Sequence, residues 1–255
     1  MTIERVRNIA APVIILAVFL SLWQAGFFNA VFSVEEFAIP RPSSIVTAAA
    51  EGSTALWGAF SETARAVILG WMLGNALGFS LALLLLTLPP DLMRRLGGFF
   101  GSFQALPVVA IAPIVALWMG SSMWFKVTTV VVMVFPQMLT YALRGLNAVD
   151  STVLELAKSY DTSGWQVFRL FRLPLALSFV FTSLRYSVVL ALIGVVVCEI
   201  LRSADGLGYH IHDALQAFNA PEAWAAVVIL ALLGVVSYSS LLLIERLLTP
   251  WAFRR

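Results

Sequence analysis

The sequence predicts an all-α integral membrane protein with six transmembrane helices and both termini in the cytoplasm. Of its 255 residues, 60% are hydrophobic and 12% are charged, whereas soluble domains carry about 25% charged residues. Apolar runs of about 20 residues, the length that crosses a bilayer, recur along the chain. The net charge of +2 gives no indication of a nucleic acid partner.

The first predicted span is Ile9–Phe28, which follows Arg5 and Arg7. A signal peptide begins in a similar way, but no small-x-small cleavage site follows clearly, so we expect a retained helix. A mixed segment follows at 29–62, where Pro42 and two serines predict a helix start.

The second predicted span, Thr63–Leu88, contains Gly70, Gly74 and Gly78. Residues four apart share one helical face, and rows of small residues let helices approach closely in lipid. We interpret the glycine face as a packing surface, with a pathway lining as the alternative.

The third predicted span, Phe99–Met119, contains Gln104, Pro107 and Pro113. Prolines within a span remove backbone hydrogen bonds and kink the helix. Two interpretations stay open, because Gln104 and Pro107 could line a solute pathway or the kinked helix could only pack.

The remaining predicted spans are Trp124–Leu146, Leu175–Leu201 and Trp224–Leu247, with a polar loop and a possible short helix at 205–222. Basic residues set the orientation, since they concentrate on the cytoplasmic side of membrane proteins. Six spans divide them into a cytoplasmic set of Arg5, Arg7, Arg94, Arg95, Arg144, Lys158, Arg169, Arg172, Arg246, Arg254 and Arg255, and an opposite set of Arg41, Lys126 and Arg202.

A polar, helix-prone island, Asp150–Pro174, separates the fourth and fifth spans. A charge at the centre of a bilayer costs roughly 2.5–3.5 kcal/mol on insertion scales, so the island must lie in water. We expect two short helices joined by a bend, with Asp161, Thr162 or Ser163 capping the second helix near Trp165.

The polar island resembles the EAA loop of ATP-binding-cassette importer permeases, in which a glutamate, two alanines, a glycine and a distant Leu-Pro recur. Glu155, Ala157, Leu173 and Pro174 match that motif in register. Asp161 departs from it, because it stands at the motif glycine.

Gly164, three residues after that position, is the candidate to supply the turn instead. The segments 106–120, 194–200 and 206–209 are similar to the nitrate, sulfonate, taurine and pyrimidine-precursor branch of these permeases. The resemblance covers nearly the whole chain after Ile39.

The resemblance implies a type I importer permease fold in the cell inner membrane, as one domain over 1–255 with a core at about 59–247. It also implies a homodimer, two copies of a cytoplasmic ATPase and an extracytoplasmic solute-binding protein that delivers a small solute. The chain has no GxxxxGK[ST] phosphate loop, so we expect no enzyme and no cofactor in it, with ATP and magnesium on the ATPase. The implied coupling loop, about 150–172, carries Glu155, Ala157, Lys158, Ser159, Asp161, Gly164 and Trp165, followed by Pro174.

Three ionisable residues fall within or beside the spans. Arg185 could contact an anionic solute or form a gate pair with Glu199, or it could pair or snorkel for structural reasons; Arg65 has the same alternatives. For Glu199, beside the 206–209 loop, we predict closure of the outer gate or contact with the solute-binding protein.

Other functions have weaker support. His210, His212 and Asp213 suggest a metal site only weakly, because residues two apart on a helix do not share a face. An ion-driven secondary transporter would need acids and broken helices near the midplane, and an intramembrane hydrolase using one of the histidines would need a serine motif. Cys198, the single cysteine, is interpreted as a small buried hydrophobe.

Overall fold

The computed structural model describes residues 2–250, and the side chains of residues 2–9, 12 and 108 are left undescribed. Of the basic residues counted above, those at positions 254 and 255 lie outside the described residues, and those at positions 5 and 7 have undescribed side chains. The helices are α1 (Thr2–Gln24), α2 (Phe27–Phe32), α3 (Pro42–Glu51), α4 (Ser53–Leu86), α5 (Pro90–Gly101), α6 (Val108–Met119), α7 (Met123–Leu146), α8 (Ser151–Ser159), α9 (Gly164–Val167), α10 (Leu173–Arg202), α11 (Leu207–Gln216) and α12 (Ala220–Leu248).

Four helices within the described residues are long and apolar enough to cross a membrane. They correspond to the predicted second, fourth, fifth and sixth spans. The described apolar part of the predicted first span, Val13–Gln24, is shorter than a crossing helix. Six spans and the sidedness of the termini therefore stay predictions.

The predicted third span is wrong as a single helix. α5 and α6 meet at about 95°, because a 3₁₀ turn at Ser102–Ala105 ends the first helix and Pro107 is extended before the second. Pro107 cannot continue a helix from the preceding turn. The pair counts as a fifth span only if it crosses as one bent unit.

The centre of the molecule is α7, which packs between α4 and α10. Ala66 and Val67 of α4, Val130 of α7, and Ala191 and Val195 of α10 share one fully buried apolar cluster. Polar groups join α4 to α10 as well, since Ser187 Oγ accepts hydrogen bonds from Trp71 Nε1 at 2.9 Å and Asn75 Nδ2 at 3.1 Å. The three helices form one tightly held unit.

The glycine face of α4 is confirmed as a packing surface against α7. A Cβ at Gly70 would lie 2.6 Å from that of Val130, and a Cβ at Gly78 would lie 2.3 Å from the carbonyl oxygen of Phe135. Real Cβ atoms do not approach so closely, so only glycine allows this helix spacing.

The outer faces of the helices are apolar and exposed. Leu232, Val235 and Val236 on α12, and Leu117 and Trp118 on α6, are all at least half exposed. Exposed apolar surface on this scale is unfavourable in water, and lipid is the solvent that suits it. The chain is therefore a multi-pass membrane protein.

Candidate functional site

The first helix of the polar island, α8, is fixed at its start by Asp150. The Asp150 carboxylate accepts a hydrogen bond from the backbone N–H of Thr152 at 2.7 Å, which satisfies a free helix donor. Hydrogen bonds from the Thr152 backbone and side chain lower the pKa of Asp150 below its usual value. The carboxylate therefore stays ionised at the helix start, where the dipole favours negative charge.

The bend of the island lies at Asp161, which has φ +51°. The N–H of Asp161 donates to the carbonyl of Lys158, and that of Thr162 donates to the carbonyl of Ala157, the pattern of a Schellman helix end. The expectation that Gly164 supplies the turn is wrong, because Gly164 is helical. Aspartate replaces the motif glycine because it tolerates left-handed backbone better than most residues.

The second island helix runs directly into the fifth span. Ser163 caps α9 through a reciprocal capping box with Gln166, which selects it among the three predicted caps. A π-helical turn at Phe168–Arg172 then joins α9 to α10, giving one continuous helix over Gly164–Arg202. Pro174 lacks the N–H that an α-helix would use, and a wider π turn accommodates such a gap.

The island exposes both charged and large apolar groups. Of the predicted coupling residues, Ala157 is buried, while Glu155, Lys158, Ser159, Asp161, Gly164 and Trp165 are exposed and Pro174 is partly buried. Leu156, Tyr160 and Trp165 are each more than half exposed. Clustered apolar exposure beside charges is typical of a docking surface for another protein.

The opposite end of the bundle contains an ion cluster, formed by the buried residues Thr63, Lys126 and Glu199 and by the half-exposed Asp205. The Glu199 carboxylate is completely buried and lies 3.4 Å from Lys126 Nζ. It accepts hydrogen bonds from Thr63 Oγ1 at 2.9 Å and from the N–H of Gly208 at 2.9 Å. The cluster joins α4, α7, α10 and the start of α11.

Asp205 completes the ion cluster from the loop before α11. Its carboxylate lies 2.5 Å from Lys126 Nζ. Partial burial acts to raise the pKa of Asp205, but hydrogen bonds from Lys126 and Ser203 and the lysine charge outweigh it, so the pKa is lowered. The buried ammonium is thus matched by carboxylates on two sides.

Gly206 is required beside the ion cluster. It has φ +97°, and a Cβ there would lie 2.0 Å from Glu199 Oε1. The glycine lets the loop close directly over the carboxylate.

Sequence reasoning found Glu199 but missed the contributions of Lys126, Asp205 and Thr63. Lys126 was counted only as a charge of the outer side. The available signal was its position in the first turn of an apolar helix, where a charge needs a partner. Glu199, near the end of the fifth predicted span, and Asp205, in the loop that follows it, were candidate partners.

Arg185 does not pair with Glu199, so the predicted gate pair is wrong. Its Nε lies 3.2 Å from Glu245 Oε2 on α12, whereas Glu199 is 14 residues further along α10, or about 21 Å at 1.5 Å per residue. Arg65 pairs with Glu62 at 3.1 Å on an exposed surface. Glu245 was a buried partner that sequence reasoning missed.

Gln104 lies beside an open cavity of about 750 Å³ between α5 and α7, which is also lined by Arg94, Arg144 and Asn147. Gln104 Nε2 donates to Thr140 Oγ1 at 2.9 Å. Pro107 is exposed at the break before α6. The pathway role of both residues stays a prediction.

Two further residues considered in the sequence, His210 and Cys198, have defined contacts in the structure. Nε2 of His210 lies 2.9 Å from the carboxylate of Glu222, at the start of α12. Cys198 is fully buried in an apolar cluster with Phe125, which agrees with its interpretation as a small hydrophobe.

Comparison with known proteins matches residues 74–254 to the family model "Binding-protein-dependent transport system inner membrane component". The formylaminopyrimidine transport permease protein ThiX of Halalkalibacterium halodurans is 29% identical over 94% of this chain and 95% of its own. The aliphatic sulfonates transport permease protein SsuC of Bacillus subtilis is 28% identical over 92% and 85%. The riboflavin transport system permease protein RibX of Chloroflexus aurantiacus is 32% identical over 63% and 60%.

Solved structures share the fold. A bacterial alginate ABC transporter chain, from a complex with an alginate-bound periplasmic protein, has a TM-score of 0.64 at 14% identity over 97% of this chain and 96% of its own. A chain of the inward-facing MetNI methionine ABC transporter has a TM-score of 0.63 at 17% identity over 76% and 94%.

Proposed function

The chain belongs to the family of binding-protein-dependent transport system inner membrane components, and from this premise we propose that it is the permease of an ATP-driven importer. Two copies would enclose the solute pathway. A separate ATPase pair would bind ATP and magnesium and dock on the polar island. A solute-binding protein would deliver a small solute to the opposite end.

The observation that carries this proposal is the continuous helix Gly164–Arg202. At 1.5 Å per residue it extends about 58 Å, from the exposed island to the residues around Glu199. Displacement of the island by an ATPase would therefore move the far end of α10 directly. The π turn supports this role, because such turns occur often at functional sites.

The ion cluster is the element that this movement would open. Its residues come from α4, α7, α10 and the loop before α11, so separation of these segments at the proposed outer end must break it. Buried charges that lose their partners are costly. The cluster would hold that end closed until ATP binding supplies the free energy to separate it.

Alternating access follows from these two ends. With the ion cluster intact, the cavity beside Gln104 and Arg144 at the island end would be the open side. With the cluster broken, the solute-binding protein would release its solute into the pathway from the outside. Glu155 and Trp165, exposed on the island, would transmit the change.

Uptake into proteoliposomes tests the proposal. The complex, purified from native membranes, would be reconstituted with its solute-binding protein, and uptake of radiolabelled candidate solutes would be measured. We expect uptake that requires ATP on the ATPase side and persists when a proton or sodium gradient is collapsed. Uptake that needs the gradient and ignores ATP would contradict the proposal and favour a secondary transporter.

A further inference from the structure

A second cavity, of about 570 Å³, lies between α7, α10 and α12. It is lined by Gln137, Tyr141, Tyr186, Tyr238 and two aliphatic residues. Gln137 and Tyr186 lie near the middles of α7 and α10, and the other two tyrosines lie about one turn towards the island. The volume falls within the roughly 300–1,000 Å³ range of small-molecule sites.

The polar groups of this aromatic cavity have no partners within the described part of the chain. Gln137 is 8% exposed, and its buried Oε1 accepts no hydrogen bond. Tyrosines in membrane proteins concentrate at the two interfaces, yet Tyr186 is 52% exposed in the middle of a span. Unpaired amide and hydroxyl groups in lipid are costly, so the cavity is better suited to a polar ligand than to lipid.

The lining of the aromatic cavity carries no charge. The nearest cation in sequence, Arg185, is already neutralised by Glu245 at 3.2 Å. A sulfonate or nitrate ion would therefore find no unmatched positive group. Tyrosine rings favour flat partners by stacking, and the amide of Gln137 can both donate and accept.

We infer that the aromatic cavity binds a flat, uncharged heteroaromatic solute on its way through the membrane. The ring lies against the tyrosines, and its polar edge bonds to Gln137. This inference rests on the proposed function, since it names the class of solute that the permease carries.

Isothermal titration calorimetry on the permease–ATPase complex in lipid nanodiscs, without the solute-binding protein, tests the inference, with riboflavin, formylaminopyrimidine and taurine as probes. We expect one of the two ring compounds to bind and taurine not to bind. Tyr186→Ala should weaken ring binding roughly tenfold through the loss of ring stacking, while Tyr186→Phe should retain most of the affinity. Gln137→Leu should also weaken it several-fold through the lost hydrogen bond.

Trp118→Ala is the matched control, because it removes an exposed aromatic side chain outside the cavity and should leave binding unchanged. Binding of neither ring compound, with or without binding of taurine, or wild-type affinity in Tyr186→Ala, would overturn the inference. In every case, ATP hydrolysis by the same complex reports separately on the proposed function.

Discussion

Removing Lys126 should destabilise the protein far more than removing any exposed charge. Lys126 is 1% exposed and neutralises Glu199 and Asp205 at 3.4 and 2.5 Å. In Lys126→Met, the buried Glu199 keeps only neutral donors, from Thr63 and the backbone of Gly208. Breaking a buried ion pair on one side costs about 3–5 kcal/mol.

Glu199→Gln should cost less, about 1–3 kcal/mol. The lysine keeps Asp205, and glutamine retains the shape and one acceptor. The double variant, with Lys126→Met and Glu199→Gln, removes both charges of the buried pair at once. Its loss of unfolding free energy should therefore be smaller than the sum of the two single losses by about 1–3 kcal/mol.

The assay is reversible unfolding in mixed micelles titrated with sodium dodecyl sulfate, followed by tryptophan fluorescence. Arg65→Met is the control, since its exposed pair with Glu62 should contribute at most about 1 kcal/mol. The account of a mutually dependent cluster would be refuted if each single variant lost less than about 1 kcal/mol of unfolding free energy and the two losses were additive in the double variant.

The packing of α4, the island bend and the loop before α11 each make a further prediction. Gly78→Ala should lower the free energy of unfolding by about 1–3 kcal/mol through overpacking. Gly58→Ala, in open space on the same helix, should raise it by up to about 1 kcal/mol. The same unfolding titration measures both, and equal effects would contradict the packing argument. Asp161→Gly should stabilise the island and Asp161→Ala should destabilise it, each by about 1 kcal/mol. Hydrogen exchange of the island amides would measure both changes. Greater amide protection in Asp161→Ala than in Asp161→Gly would argue against a left-handed bend. Lys126 helps to lower the pKa of Asp205 in the folded state, so the Asp205 carboxylate stabilises the fold above its ordinary pKa of 3.8 and loses this contribution as the pH falls further. Tm should therefore fall below about pH 4 in the wild type and fall less steeply in Asp205→Asn. Parallel curves of Tm against pH would exclude this contribution.

Local patterns predicted much of the fold, because the length of an apolar run and the residues that cap a helix can be identified from neighbouring positions in the sequence. The glycine row of α4, the start of α3 at Pro42 and the cap at Ser163 each depend on residues within a few positions of one another. The break at Pro107 was harder to predict, since a proline can kink a helix or end it. Which of these happens depends on the 3₁₀ turn before it and on the packing of α5 and α6.

The partners of the buried charges could not be predicted from such patterns. Lys126 and Glu199 are 73 positions apart, and helical periodicity does not determine which faces of two distant helices meet. Arg185 has the same difficulty, because Glu245 lies near the end of the last span. The bend at Asp161 was missed because glycine has the freer backbone, although the hydrogen bonds that end α8 fix the turn three residues earlier than Gly164.

The coupling role of the polar island is tested most directly by co-purification. The complex would be purified from native membranes with wild-type chain, with Glu155→Arg and with the control Glu51→Arg, an exposed charge reversal on α3. The account predicts that an ATPase with a phosphate-binding loop accompanies the wild type and the control, hydrolyses ATP in lipid, and is lost with Glu155→Arg. An ATPase retained in full by Glu155→Arg, or absent from all three preparations, would contradict it.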